Sequence, residues 1–378
     1  MNIKNILIRI FIGLMVFGII SAVPFTLQTQ AATQQNMTQV LDLDGLIKEV
    51  LNNNPELKLL DNQIQVQEKR YKIAIQKADQ ERVRVGIPDA ELAQNKMYVL
   101  LYPLQAKNKL DDLKWQKENK LVSLQAEASK LYYQYIFKQH EVEAQSKAVE
   151  RARAELKIVN EKIKLGKLSS LSLPQNENAV DLSNQKLTKL NTELASIIMR
   201  INSLLNYDLD QKPQVSSETT NIEEYTVKNI EVLIEKRKLE SNSIKELQAN
   251  IEEAKIEYYV ESYNRQSIAS NYEQLEDKPK ELENNIENEK YKIEQKIRND
   301  YNSILNLYDD IAIAKLSYDL NLKLFDVAGK KYKQEMISYV EYLKAAEDRE
   351  NAMIQYDQAQ LAYHTAVLDF KLYTEQLV

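Results

Sequence analysis

Leu121, Ala128, Tyr135, Val142, Val149, Leu156 and Ile163 stand at every seventh position, a series without a slip. Leu110, Leu124, Leu131, Ala152 and Val159 fill a companion series, which Lys117, Lys138 and Gln145 interrupt. Alternating steps of three and four are the seam of a coiled coil, and the interruptions act as register devices or face a water-filled interior. Nothing breaks this pattern from Leu104 to Leu165, so about 62 residues at 1.5 Å each make a rod of roughly 93 Å.

The pattern is written twice. Moving 169 positions on turns Ala128, Tyr135, Val142, Val149, Leu156 and Ile163 into Ile297, Ile304, Ile311, Tyr318, Phe325 and Tyr332, again spaced by seven. The same shift carries Leu187, Leu190, Leu194, Ile197, Ile201 and Leu204 onto Tyr356, Ala359, Tyr363, Ala366, Phe370 and Tyr373. Two seams that match under one offset mark an internal duplication.

Breakers place the turns. Pro55 suits the first turn of a helix that follows Asn52-Asn53-Asn54, where its missing N–H is not needed. Pro88 and Pro103 bracket a far turn, Pro174 opens a return helix, Pro213 sits in the linker "DLDQKPQVSSETTN", and Pro279 is expected to mark the second far turn. Each copy therefore reads as helix, far turn, long helix, near turn, return helix. At the near turns Gly166 pairs with Glu335, Ser169 with Ser338 and Ser172 with Glu341. Gly166 is the expected C-cap of the first long helix. Ser338 with Glu341 three residues on forms a capping box, and Ser172 with Gln175 offers the same chemistry in the first copy.

Composition narrows the function. Only six glycines are present and none are clustered, so no phosphate-cradling loop is expected. Cysteine is absent, which excludes disulfides, thiol chemistry and a lipidated N-terminal cysteine. Lys4 and Arg9 precede an apolar run of 14 residues, Ile10–Val23, and small residues end near Ala31, the layout of a secretory signal peptide. The whole chain carries a net −6, and removing residues 1–31 with their two positive and no negative charges leaves −8. An acidic exported chain is a poor nucleic-acid partner. His140 and His364 lie on different helices without clustered ligands, and no nucleophile–base pair stands out, so neither a metal, a cofactor nor an enzymatic activity is expected.

"LIKEVLNNNPEL" (Leu46–Leu57) opens the first copy. The first near turn, "IKLGKLSSLSLP", loosely follows an order of aromatic or apolar residue, glycine, serine and acid, with Ser172 in the acid's place, and the second, "KYKQEMISYVEYLKA", follows it in register with Glu335 in the glycine's place. On these residues the chain resembles the TolC family of outer-membrane efflux proteins over about residues 41–376. The resemblance implies a trimer whose long helices build a hollow α-barrel. Its near turns form an aperture and dock an adaptor protein that reaches an inner-membrane transporter. Gly166, Ser169, Ser172, Tyr332, Ser338 and Glu341 then belong to the aperture and docking turn. Glu341 matches the first aperture acid, Tyr332 an aperture tyrosine, Lys344 replaces a second acid, and Ile337 replaces a basic residue.

Family members insert two β-strands per copy at the far turn, and a spanning strand needs about 9–11 alternating residues. The first far turn offers only Tyr98–Tyr102, and the second is acidic and helix-friendly. The fold class is accordingly all-α: long antiparallel coiled-coil hairpins in two tandem repeats, a TolC-like α-barrel protomer with little or no β-barrel. Residues 1–31 read as signal peptide, 32–206 as the first repeat, 207–221 as linker and 222–378 as the second repeat. The expected function is an exported efflux or secretion component of the cell envelope. The alternative is a structural or adhesive coiled-coil protein of the cell surface.

Overall fold

The computed structural model describes residues 40–216, 223–263 and 269–375. Residues 1–31, expected to be a signal peptide, and part of the linker lie outside them. Nine α-helices of five or more residues are found among the described residues: α1 (Leu43–Asn53), α2 (Pro55–Arg82), α3 (Leu92–Lys96), α4 (Tyr102–Lys164), α5 (Leu173–Leu205), α6 (Ile230–Glu240), α7 (Asn242–Glu261), α8 (Ala269–Lys333) and α9 (Tyr339–Glu375). No strand is present among the described residues; β-pairing is confined to one isolated bridge, Leu41 to Val215. No helix among them is long and apolar enough to cross a membrane.

Local side-chain chemistry sets where the helices begin. Asp42 Oδ1 accepts the Gly45 N–H at 2.8 Å, and a Cβ on Gly45 would stand 2.8 Å from that oxygen. Glycine is needed there because the cap folds over it. Asn54 Oδ1 accepts from Glu56 and Leu57 ahead of α2, with Pro55 in the first turn. In the second copy Asn229 caps α6 and Ser241 caps α7. These caps sit 187 positions after Asp42 and Asn54, whereas α4 and α8 end 169 apart, at Lys164 and Lys333. The difference lies in the longer α2 and the longer far turn of the first copy. There Gly86 takes a left-handed φ of 67°, and a 3₁₀ turn, α3 and a π-helical segment (Met97–Leu101) lead into α4. Tyr98–Tyr102, the best strand candidate, is this π segment and the first residue of α4.

Pro279 does not mark a turn. It lies inside α8, roughly one-sixth of the way along. Proline removes one backbone hydrogen bond and crowds the preceding turn, yet the helix continues because Ile286, Ile293, Ile297, Ile304 and Ile311, which follow Pro279 along the same face, are buried in one apolar cluster with Ile244, Ile251 and Phe370. The second far turn lies between Glu261 and Ala269, partly outside the described residues.

The seven-residue series is the buried seam along the middle of each hairpin and opens to solvent near its end. Ala128, Tyr135 and Val149 are buried, as are Ile297, Ile304 and Ile311, whereas Tyr332 is 39% exposed. The polar interruptions of the first seam find partners between helices. Lys117 bonds Asp61 of α2 at 2.6 Å, Lys138 bonds Glu193 of α5 at 2.9 Å, and Gln145 donates to the Ser183 carbonyl at 3.0 Å. Each therefore fixes the register of one helix pair.

The hairpins meet along α4 and α9. Tyr133 stacks on His364 at 4.5 Å, His140 Nδ1 lies 2.8 Å from Asp357 Oδ2, Gln358 donates to Glu141 at 3.1 Å, and Arg151 pairs with Glu350. Along the chain neither histidine has a clustered ligand; folding brings one carboxylate to His140. That bond to Asp357 raises the His140 pKa against the lowering effect of burial. A raised histidine stabilises fully below its ordinary value near 6.5 and loses that contribution as pH rises through the folded-state value. His364 is shifted downward by burial and opposes it. The destabilisation caused by His140→Gln is therefore expected to be larger at about pH 6 than at about pH 8; equal melting-temperature losses at the two pH values would remove His140 as the titrating group.

Candidate functional site

The two near turns have the same backbone. At the first, Leu165 donates to the Glu161 carbonyl at 3.1 Å, Gly166 to Ile163 at 2.9 Å and Lys167 to Lys162 at 2.8 Å. At the second, Gln334 donates to Lys330 at 3.2 Å, Glu335 to Tyr332 at 2.9 Å and Met336 to Lys331 at 2.9 Å. This is one helix-ending loop made twice. Gly166 and Glu335 occupy its left-handed position, at φ 68° and 57°. Glycine takes that region freely, whereas a residue with a Cβ loses about 1–2 kcal/mol.

Ser338 and Glu341 form the expected reciprocal box. The Ser338 N–H donates to Glu341 Oε2 at 2.7 Å, and the Glu341 N–H donates to Ser338 Oγ at 3.2 Å. The Ser338 N–H, then its hydroxyl, holds the Glu341 carboxyl below its ordinary range. In the first copy the cap is Ser169 and not Ser172: Ser169 Oγ accepts the Leu171 N–H at 3.3 Å, and the Ser172 hydroxyl turns back to the Ser169 carbonyl at 2.7 Å. Ser172 makes no cap bond for α5. The offset carried the signal, because Ser169 is the counterpart of Ser338 and Ser172 only fills the acid's place. Ser172→Glu is expected to complete the box and Glu335→Gly to relieve the left-handed residue, each stabilising by about 0.5–1 kcal/mol. Chemical denaturation reads both, and a loss of stability in either would contradict this turn geometry.

The second turn also gathers rings. Tyr332 stacks on Tyr342 at 5.3 Å and lies 5.4 Å from Tyr339, and Phe325 stacks on Tyr342 at 5.4 Å. Arg349 lies 4.3 Å over Phe325. The first-copy counterparts are Leu156, Ile163, Ser170 and Leu173, so this cluster belongs to one tip alone. Heptad spacing identified Phe325 and Tyr332; Tyr339 and Tyr342 join them only when the return helix folds back. Lys344 is held by Glu347 at 3.0 Å and Asp348 at 3.1 Å, which raise its pKa.

Folding brings both turns to one end. The α4–α9 contacts run antiparallel, from Tyr133 with His364, through Arg151 with Glu350, to Glu155, whose pKa is raised by burial and by Glu347. From Glu155 and Glu347 the first residues past the two helix ends are each within about 15 Å along the axis. Apolar side chains stand bare there among exposed lysines: Leu171 is 88% exposed and Met336 67%, with Leu165, Leu168 and Val340 also exposed.

The same arrangement of helices exists in outer-membrane channels. The Campylobacter jejuni CmeC outer membrane channel superposes with a TM-score of 0.64, at 13% identity, over 88% of this chain and 85% of that one. The chain has a TolC-like helical fold. The open state of the Neisseria gonorrhoeae MtrE outer membrane channel gives a TM-score of 0.61 at 11% identity over 88% of each chain. The outer membrane protein VceC of Vibrio cholerae gives 0.59 at 12% identity, over 87% of this chain and 94% of that one. A scan against protein-family models and a search of curated proteins find no match to the sequence. At these identities the TolC-like likeness is one of fold.

Proposed function

We propose that the chain is an exported component of an efflux or secretion machine in the cell envelope. It contributes to a helical duct, as a homotrimer, and its near-turn tip docks an adaptor protein that leads to an inner-membrane transporter. The observation that carries this reading is the shared geometry of two reversals, Gly166–Ser172 and Glu335–Glu341, at one end under bare apolar side chains. Exposed apolar side chains gathered at one end support a protein-contact surface there. Gly166, Ser169, Ser172, Tyr332, Ser338 and Glu341 are its proposed residues. The glycine, the serines and Glu341 shape the tip through its backbone, while Tyr332 presents an aromatic anchor of the kind that dominates interfaces.

A surface rod without a transport role is the rival, and it gives no reason to keep two matching capped tips. Two measurements decide. The mass of the processed protein in solution should be that of three chains, and a stable monomer would defeat the duct. Leu171→Glu with Met336→Glu should then abolish binding to a hairpin adaptor encoded beside it while leaving the helical circular dichroism unchanged; binding that persists would remove the tip as the docking surface.

A further inference from the structure

Helix α8 carries a bare stripe, Ile313, Leu316, Leu320, Leu324 and Val327, each 45–71% exposed. Steps of three and four keep these residues on one face over about 21 Å. Moved back 169 positions, Leu320 and Leu324 become Arg151 and Glu155, the residues with which α4 meets Glu350 and Glu347 of α9. The bare face of α8 is thus the face that α4 uses to hold its neighbour. What covers α4 is α9 toward the near turns and α7 toward the far end. Their counterparts in the first copy are α5 and α2, which no α8 of the same chain can reach in that arrangement.

The contacts within the chain say which residues would meet. Glu141 with Gln358 maps onto Asp310 with Lys189. Asn108 Nδ2 donates to Glu253 at 2.6 Å, joining α4 to α7, and this maps onto Asp277 with Val66 when α7 is shifted by its own 187. One turn closer to the far end, Glu273 comes level with Arg70. Both facing pairs, Asp310 with Lys189 and Glu273 with Arg70, are opposite in charge. Arg70, Glu273 and Asp310 are exposed, and no ion pair is formed by them among the described residues; Lys189 has only a 4.0 Å contact with Glu193.

We propose that α8 takes α2 and α5 of a second copy of this chain, head to tail, in a seam whose register is set by Arg70 with Glu273 and Lys189 with Asp310, and whose grip is the Ile313–Val327 stripe. This seam rests on the oligomeric part of the function proposed above, and adds which surfaces meet and how they are aligned. Head-to-tail contacts of this kind close into rings when the rotation allows. Exposed ion pairs add little affinity but penalise wrong registers through like-charge contact, and they are screened beyond about 8 Å at physiological salt. The apolar stripe supplies the affinity and the far-end charges choose the alignment.

Charge exchange in the full chain tests it. Arg70→Glu and Glu273→Arg should each weaken assembly by about tenfold, read as a shift in the concentration at which the oligomer forms. Joining the two substitutions should restore it. Because the chain has no cysteine, Leu320→Cys with Asp181→Cys, the counterparts of Arg151 and Glu350, should link copies to one another under oxidation, while Leu320→Cys alone should not give the ladder. An oligomer that forms normally, with no recovery in the double exchange and no ladder, would overturn this seam and leave the oligomeric duct standing. A wild-type chain that stays monomeric at every concentration would overturn both.

Discussion

Glu350→Ala will destabilise the protein by about 3–5 kcal/mol, the largest effect expected of any polar substitution in the chain. Its carboxylate is 6% exposed, takes the Arg151 guanidinium from across the α4–α9 seam, and accepts from Arg349 at 3.1 Å. Arg151 is itself only 13% exposed. Truncating Glu350 strands that cation against low-dielectric surroundings, and the penalty is mostly the desolvation of a charge left alone. A double substitution separates this from simple packing loss. Replacing Arg151 and Glu350 together by methionine removes both charges, and the double variant should lie within about 1–2 kcal/mol of the wild type. Denaturant titration of the three proteins reads the difference. If the double variant falls as far as Glu350→Ala, the seam depends on attraction between the pair, and a stranded cation is not the cause of the loss.

Phe370→Ala will cost about 3–5 kcal/mol through the cavity it opens. The ring is fully buried, with Tyr225 at 5.8 Å and Tyr301 at 6.0 Å, inside the cluster that holds α6, α7, α8 and α9 together. Its counterpart in the first copy is Ile201, equally buried. Ile201→Ala should cost about 2–4 kcal/mol, less because fewer carbons are lost. Phe370→Leu keeps most of the apolar volume and should cost less than about 1.5 kcal/mol. Melting temperatures rank the three; a Phe370→Ala variant as stable as Phe370→Leu would mean the pocket collapses around the loss.

How far the site is legible along the chain differs from residue to residue. Gly166, Ser338 and Glu341 are readable because their chemistry is local: a left-handed residue and a serine–glutamate pair three apart act on their own backbone. Ser172 passes the same local rule without being the cap, since two serines three apart both satisfy it and only the fold chooses Ser169. Pro279 shows the opposite failure. A proline is a local stop signal, but a long helix buried over many turns beyond it carries it. The tyrosine cluster is half visible, because Phe325 and Tyr332 lie on the heptad while Tyr339 and Tyr342 arrive from the return helix.

The order of apolar positions, the caps and the scarcity of glycine by themselves determined that this chain is helical, where its long helices end, and that the same plan occurs twice. Each of those is set by side chains acting within a few residues of their own backbone. Which hairpin face meets which was decided only in three dimensions. The His140–Asp357 contact joins residues 217 positions apart, and no periodicity along the chain distinguishes the α4 face that is covered from the α8 face that is left bare. The two faces differ in residues, Arg151 and Glu155 against Leu320 and Leu324, but whether a face is covered depends on whether another helix lies within reach.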